Sequence, residues 1–261
     1  MGRKKLGKKR AKKRYPRMFI MLSAALVAAV ALGAAYYLIA VSSYQSMPAI
    51  LRAAIIDGLS EDFPNPRFIE EAKNLLESAG YDVTIFNGSE VNVELFRRLP
   101  TMNFTLIIMR LHGGRIQQPI GLFIGSGIFA EPFREDKYEY EFRSGYFLKG
   151  VAYAGGREYF VITPHYVLEK FEGRFPSSIV IVLSCYSMWD QVLASAFIER
   201  GASAFIGIDQ KADISYLDRA GLELVRYISQ GAGAEEAVLR VMEEVGPDPI
   251  TGARILHYAG R

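Results

Sequence analysis

A run of 24 residues without a charge, residues 18–41 (MFIMLSAALVAAVALGAAYYLIAV), directly follows a strongly basic tail. A helix of about 20 apolar residues, rising about 1.5 Å per residue, crosses the roughly 30 Å hydrocarbon core of a bilayer. Tyr36 and Tyr37 fall near the far end of the run, where interfacial aromatic rings are favoured. The run therefore predicts a transmembrane helix over 18–41. It is longer than the about 7–15 apolar residues of a signal peptide, which favours a retained anchor over a cleaved one.

The tail, residues 1–17, contains ten Lys or Arg and no acid, and the first basic residue after the apolar run is Arg52. Positive charge accumulates on the cytoplasmic side of membrane-spanning helices, and it also attracts anionic lipid headgroups. We therefore expect a single-pass protein of the cell membrane with a cytoplasmic N-terminus and an extracytoplasmic domain. The lipid bilayer would be its partner through residues 18–41.

Without the tail, the chain carries 21 basic and 28 acidic residues, a net charge of −7. This balance argues against binding to nucleic acid by the folded domain. Cys185 is the single cysteine, so an intrachain disulfide is impossible. After a short linker, 42–48, the remaining residues 49–261 are enough for one domain to bury its own hydrophobic core.

The pattern of apolar residues in this domain alternates between strands and helices, which predicts right-handed βαβ units. Core strands are predicted over 52–57, 82–86, 104–111, 179–183 and 204–208, with an edge strand over 254–258. Glycine-punctuated, aromatic runs between 121 and 162 predict an antiparallel β insertion. We expect an α/β domain, a three-layer α/β/α sandwich with a mostly parallel sheet. In such sheets the reactive groups collect at the carboxyl ends of the strands.

Two of the buried strands lead directly into residues that can carry chemistry. FTLIIMRL leads into His112 and two glycines, and IVIVLS leads into Cys185. A thiolate can attack a carbonyl while a nearby imidazole moves the proton, and the glycines let backbone N–H groups approach a substrate. A helix predicted over Trp189–Arg200 would lower the thiol pKa through its N-terminus. Each residue alone is more often structural, but the pair at one sheet edge indicates nucleophilic catalysis.

The order hydrophobic strand, His-Gly, β insertion, hydrophobic strand, Ser-Cys, helix and strand resembles the clan CD cysteine peptidases. This caspase-like group includes gingipains, clostripain, legumain, separase and the CHAT domains. The segments FVITPHYVLEKF before the cysteine strand and LASAFIERGASAFIGI after it are most similar to the gingipain and CHAT branch. The resemblance covers about residues 52–245.

The resemblance implies a caspase-like fold and a role for each matching residue. Cys185 would be the nucleophile and His112 the general acid/base. The backbone N–H groups of Gly113 and Cys185 would form the oxyanion hole. Ser184 stands where this group often has Ala, which leaves a loss of activity open.

Strand geometry adds two candidates. Asp57 ends the strand expected beside the histidine strand, so it could orient His112, much as legumain-like relatives place an amide there. Equally, Asp57 could be a turn or cap residue, or pair with Arg110 inside the domain. Asp209 ends a strand at the expected pocket edge, where an acid would favour Arg or Lys at the P1 position of a substrate.

Other chemistries find less support in the sequence. His165 and His257 have no cysteine-bearing neighbour in the pattern, no paired His/Cys spacing of the zinc type occurs, and no phosphate or dinucleotide motif follows the first strand. We expect no cofactor and no metal. The leading hypothesis is a membrane-anchored cysteine endopeptidase acting on peptides or proteins. The alternatives are a catalytically inactive caspase-like binding or scaffold module at the membrane, and a flavodoxin-like ligand-binding domain.

Overall fold

The computed structural model describes residues 26, 30–37, 51–117, 123–152 and 156–260. The chain divides into two units, Met1–Ala49 and Ile50–Arg261. In the first unit, residues 30–37 are helical. The predicted tail 1–17, the linker 42–48 and most of the predicted span 18–41 lie outside the described residues. Among the helices that the structure does describe, none combines the length and apolar character needed to cross a bilayer.

The second unit is a mixed α/β domain whose elements alternate as the sequence predicts. Its helices and strands are, in chain order, β1 Leu51–Asp57, α1 Pro66–Ser78, β2 Tyr81–Asn87, α2 Val93–Arg98, β3 Leu106–Arg110, β4 Gly113–Gln117, β5 Phe123–Pro132, α3 Glu139–Arg143, β6 Phe147–Val151, β7 Glu158–Ile162, α4 Pro164–Lys170, β8 Ile179–Leu183, α5 Val192–Glu199, β9 Ala204–Ile208, α6 Ile214–Ser229, α7 Ala234–Glu244 and β10 Ile255–Tyr258.

The main sheet has six strands in the order β10-β9-β8-β3-β1-β2, and all neighbours are parallel except the edge pair β10/β9. The predicted mostly parallel sheet is thus confirmed. Successive residues of a strand point to opposite faces, so Ala53 and Ile55 of β1 pack into one core while Ala54 and Ile56 pack into the other. Strands buried on both faces explain the nearly continuous apolar runs.

The two faces of this sheet are covered differently. Helices α1, α6 and α7 cover one face. Helices α2, α4 and α5 cover the other, together with an antiparallel four-stranded sheet in the order β4-β5-β7-β6. The predicted β insertion is therefore present, and it begins at Gly113, directly after the histidine.

Two local predictions are wrong. The alternating run YEYEF reads as a strand, yet Glu139–Arg143 is helical. The ion pair between Glu139 and Arg143, one helical turn apart at 2.7 Å, favours that helix. The helix predicted from Trp189 begins at Val192 instead, because residues 185–188 form a turn in which Tyr186 adopts a left-handed φ of 59°.

Candidate active site

The site lies where β3 and β8, two neighbouring parallel strands, reach the same edge of the sheet. Arg110 pairs with Leu183 at the ends of these strands, and the Leu111 N–H donates to the Leu183 carbonyl at 3.2 Å. His112 and Cys185 each follow their strand by two residues. A crevice adjoins the site on the other side of β3, between β3 and β1. From β1 the chain continues to β2 on one side of the sheet, and from β3 it continues to β8 on the other side. Open α/β sheets place their ligands at such a crevice.

Gly113 brings the histidine turn and the cysteine turn into direct contact. A Cβ built on Gly113 would lie 2.5 Å from the Cys185 carbonyl oxygen and 2.6 Å from the Ser184 Oγ. No side chain fits at this position without moving main chain. The first of the two glycines therefore has a packing reason, the close approach of the two turns.

The imidazole of His112 is held by a carboxylate and enclosed by aromatic rings. Its Nε2 lies 2.9 Å from the Asp62 Oδ2, and the rings of Phe63, Phe129 and Tyr159 lie 5.6 to 6.1 Å away between centroids. A histidine with one nitrogen fixed by a carboxylate has a defined orientation, and its other nitrogen remains for proton transfer.

Asp62 is itself positioned by the second sheet. The Tyr159 hydroxyl donates to Asp62 Oδ2 at 2.6 Å, and an Arg157 guanidinium nitrogen lies 3.6 Å from Oδ1. Burial opposes ionisation, but the hydrogen bonds from Tyr159 and His112 and the charge of Arg157 outweigh it and lower the pKa of Asp62. Burial and the hydrogen bond to Asp62 raise the pKa of Tyr159 to about 12, so this phenol stays a donor.

Asp57 does not orient His112 in this structure. The Asp57 Oδ1 accepts from an Arg110 guanidinium nitrogen at 2.9 Å and from the Leu59 N–H at 3.1 Å. The predictions that Asp57 acts as a turn residue and pairs with Arg110 are confirmed. The physical reason is burial: the Asp57 side chain is only 5% exposed, so it needs the nearest cation, and Arg110 stands beside it on the next strand.

The loop between β1 and α1 carries the carboxylate that the sequence analysis missed. Arg110 donates to the Phe63 carbonyl at 2.8 Å, which fixes the residue next to Asp62. Asn65 caps α1 through its bond from the Phe68 N–H. The available signal was the adjacent acidic pair Glu61 and Asp62 in a loop at the carboxyl end of a parallel strand.

Cys185 is half-buried, and its sulfur rests against the main chain of Ala212. The distances from Sγ to Ala212 N and O are 3.5 and 3.6 Å. Burial raises the pKa of the Cys185 thiol, against the smaller lowering effects of the Ala212 N–H and the Lys211 charge. The expectation that a helix N-terminus lowers this pKa is wrong, because α5 begins seven residues after the cysteine.

Ser184 and Asp209 lie beside the cysteine turn. The Ser184 Oγ is fully buried and has no hydrogen-bond partner among the described residues. Asp209 Oδ1 accepts from the Arg254 N–H at 2.8 Å, so one carboxylate oxygen secures the β9/β10 end. The following residue, Gln210, accepts from the Tyr186 N–H at 3.0 Å, which brings the Asp209 segment beside the cysteine turn.

A cavity of about 460 Å³ opens beside the site, between the β1–α1 loop and the start of α6. Its walls include Asp62, Arg110, Ile214 and Asp218. Ile214 lies two residues beyond Ala212, whose main chain contacts the thiol. Among the residues the structure describes, no group of three or more His, Cys, Asp or Glu is placed to hold a metal ion.

Comparison with solved structures finds similar chains. The structure is similar to the Arg-specific cysteine proteinase gingipain R (RgpB). The match has 12% sequence identity and a TM-score of 0.44, and it covers 74% of this chain and 42% of that chain. This chain therefore spans less than half of the proteinase's length. At this level of similarity, nothing about the activity of this chain follows from the match. No family model and no curated protein sequence matches the chain.

Proposed function

We propose that this domain is a cysteine endopeptidase of the caspase-like type, with Cys185 as nucleophile and His112 as general acid/base. The observation that supports it most is the contact at Gly113, which leaves no room for a Cβ between the His112 turn and the Cys185 turn. Two residue types needed for thiol catalysis thus lie on adjacent turns at one sheet edge. Asp62, rather than Asp57, is the proposed partner that orients His112.

In the proposed reaction, His112 takes the Cys185 proton as the sulfur attacks the carbonyl carbon of a peptide bond. It then gives this proton to the departing amine, leaving a thioester that water hydrolyses with the same base. Removing the proton during attack suits a thiol whose pKa burial has raised. We propose the N–H groups of Gly113 and Cys185, the donors that the resemblance implies, as the oxyanion hole.

The strand ladder supports Gly113 in that role. The Phe129 N–H donates to the His112 carbonyl at 3.1 Å, which makes these two residues a hydrogen-bonded pair of the antiparallel β4/β5 ladder. Pairs alternate along such a ladder, so Gly113, opposite Ile128, belongs to a pair that is not hydrogen-bonded. Its N–H therefore points away from β5.

We propose a basic residue at P1. The cavity beside the site is bounded by the carboxylates of Asp62 and Asp218 with one buried cation, Arg110. The same guanidinium also pairs with Asp57, so two carboxylates share this one cation. An excess of negative charge favours a cationic side chain. We propose that Asp209 also contributes to this preference; one of its carboxylate oxygens accepts from the Arg254 N–H.

The inactive scaffold remains the rival proposal, and one observation favours it. The Cys185 sulfur is covered on one side by Ala212, and burial raises its pKa, neither of which helps a nucleophile. An inactive module would bind peptides at the same edge without forming a thioester.

Labelling separates the two proposals. The purified chain is treated with peptidyl electrophiles that carry Arg, Lys, Asp or Asn at P1, and capture of Cys185 is read by intact mass. A peptidase is captured by the Arg or Lys probes, and Cys185→Ala abolishes both capture and hydrolysis. His112→Ala should slow hydrolysis by about 10²–10⁴-fold with the thiol still present. Hydrolysis that survives Cys185→Ala would exclude Cys185 as the nucleophile.

We further propose that residues 18–41 anchor the chain in the cell membrane, with residues 1–17 cytoplasmic and the domain outside. The support is the charge asymmetry around an uncharged run. Protease added to intact cells or spheroplasts should digest the domain. If the domain is digested only after the membrane is broken, the proposed orientation is wrong.

A further inference from the structure

Residues Gln210–Asp213, here named the latch segment, cover one side of the Cys185 sulfur. Ala212 contacts Sγ through both its N–H and its carbonyl oxygen, at 3.5 and 3.6 Å. Gln210 accepts from the Tyr186 N–H at 3.0 Å, the residue directly after the cysteine. The latch segment therefore binds both the side chain and the backbone of the cysteine turn.

The far end of the latch segment is fixed at one buried carboxylate. Asp248 Oδ2 accepts from the Asp213 N–H at 2.7 Å and from the Thr251 hydroxyl at 2.6 Å, while Oδ1 accepts from the Ile250 N–H at 2.9 Å. Asp248 is 2% exposed, and these bonds hold its pKa below the usual value despite burial. Hydrogen bonds to an ionised group are among the stronger ones.

An attacking sulfur must come within about 3–3.5 Å of a carbonyl carbon. Ala212 already occupies that distance on one side of the sulfur, and its carbonyl oxygen accepts the S–H proton. We propose that the latch segment keeps the Cys185 thiol in a resting state, and that loosening its attachment to Asp248 makes the thiol reactive. The consequence for peptide hydrolysis rests on the proposed function, but the reactivity of the thiol is measurable without it.

The test uses iodoacetamide, a small alkylating agent, on the full chain in detergent. Cys185 is the single cysteine, so a mass gain reports this thiol alone. Two variants at one position separate the anchor from the helix cap. Asp213 caps α6 through its bond from the Ser215 N–H, and its φ is −72°, which proline also adopts. Asp213→Ala removes the cap but keeps the N–H that donates to Asp248, whereas Asp213→Pro removes both.

The latch predicts that Asp213→Pro is alkylated roughly tenfold faster than Asp213→Ala, as expected for the loss of one charge-assisted hydrogen bond. Equal rates in two folded variants would overturn the proposal. The unchanged chain gives a second measurement in case the proline variant does not fold. Its alkylation rate should rise with urea well below the unfolding transition and with a shallower slope, because only the latch segment opens. The proposal is also overturned if Cys185 is alkylated without urea as fast as an unfolded thiol, or if its alkylation rate follows global unfolding.

The outcomes for the latch and for the peptidase are distinct. Faster alkylation of Asp213→Pro without hydrolysis of any peptide would support the latch and refute the proposed function. Peptide hydrolysis together with equal alkylation rates of the two variants would support the proposed function and refute the latch.

Discussion

The guanidinium of Arg110 forms a two-pronged ion pair with the carboxylate of Asp218, with nitrogen–oxygen distances of 2.6 and 3.0 Å. Arg110 is 1% exposed and also binds Asp57 and the Phe63 carbonyl. A single side chain therefore joins β3, β1, α6 and the loop that carries Asp62. This cluster links the packing of the domain to the orientation of His112.

Arg110→Met should lower the free energy of unfolding by about 3–5 kcal/mol, because it leaves the buried Asp57 and the largely buried Asp218 without their cation. Urea unfolding followed by circular dichroism measures this. The control is Arg134→Met, which removes an ion pair with Asp136 whose side chains are 64% and 73% exposed. That change should cost less than about 1 kcal/mol. Similar losses in the two variants would contradict the assigned role of Arg110.

Gly113→Ala should damage the site, since its Cβ would meet the Cys185 carbonyl at 2.5 Å. We expect a stability loss of about 1–3 kcal/mol and a large fall in kcat/KM, because main chain must move. Gly114→Ala is the matched control: its Cβ would lie 3.6 Å from the Phe129 ring, an ordinary contact. An active Gly113→Ala variant would show that the two turns need not touch.

Ser184→Ala should raise the free energy of unfolding by between zero and about 1–2 kcal/mol. The reason is that it removes a buried hydroxyl that lacks a partner among the described residues. Ser187→Ala should instead destabilise by about 1–3 kcal/mol. Its hydroxyl bonds to the Val182 carbonyl at 2.9 Å and accepts from the Ile208 N–H at 2.9 Å. Thermal unfolding of both variants gives the comparison, and a marked loss in Ser184→Ala would indicate a bound water or a functional contact.

Asp62→Asn should reduce kcat/KM by at least about 10–100-fold, because it removes the carboxylate that orients His112. Glu61→Gln serves as control, because Glu61 pairs with Arg157 at 2.9 Å in an exposed contact. If Asp62→Asn keeps the kcat/KM of the unchanged chain and the same pH dependence of kcat/KM, Asp62 has no part in the mechanism.

The same Asp62 variant makes a prediction about acid stability. The pKa of Asp62 is lower in the folded chain than its usual value near 3.8, so its ionised form stabilises the fold. This contribution is complete above that value and is lost as the pH falls through the folded-state pKa. The stability difference between the unchanged chain and Asp62→Asn should therefore narrow below about pH 4. A constant difference from pH 7 to pH 3 would contradict the ion pairing.

The sequence predicted the main sheet well because its strands are buried on both faces. The bounds of β8 and β9 agree with the sequence pattern residue for residue, since apolar runs with sharp polar ends leave little choice of register. The run YEYEF failed because a two-residue alternation on an exposed surface does not distinguish a strand from a single helical turn.

The site was less predictable than the fold. Strand ends placed His112 and Cys185 at one edge, but nothing in the local pattern shows which loop carboxylate reaches a histidine. Asp57 and Asp62 differ by five residues, and Arg110 decides between them by binding the first. That choice depends on contacts between segments about 50 residues apart, which no periodicity encodes.

Strand β3 is five residues long, and it leads from the buried Arg110 to His112 within two positions. Rigidity and chemistry are therefore encoded in the same short stretch of chain. Random substitution there would seldom alter one property alone, so this strand is a poor target for directed evolution of new specificity. The start of α6, which lines the cavity without belonging to the β3 stretch, offers positions where substrate choice could change while the protein stays folded.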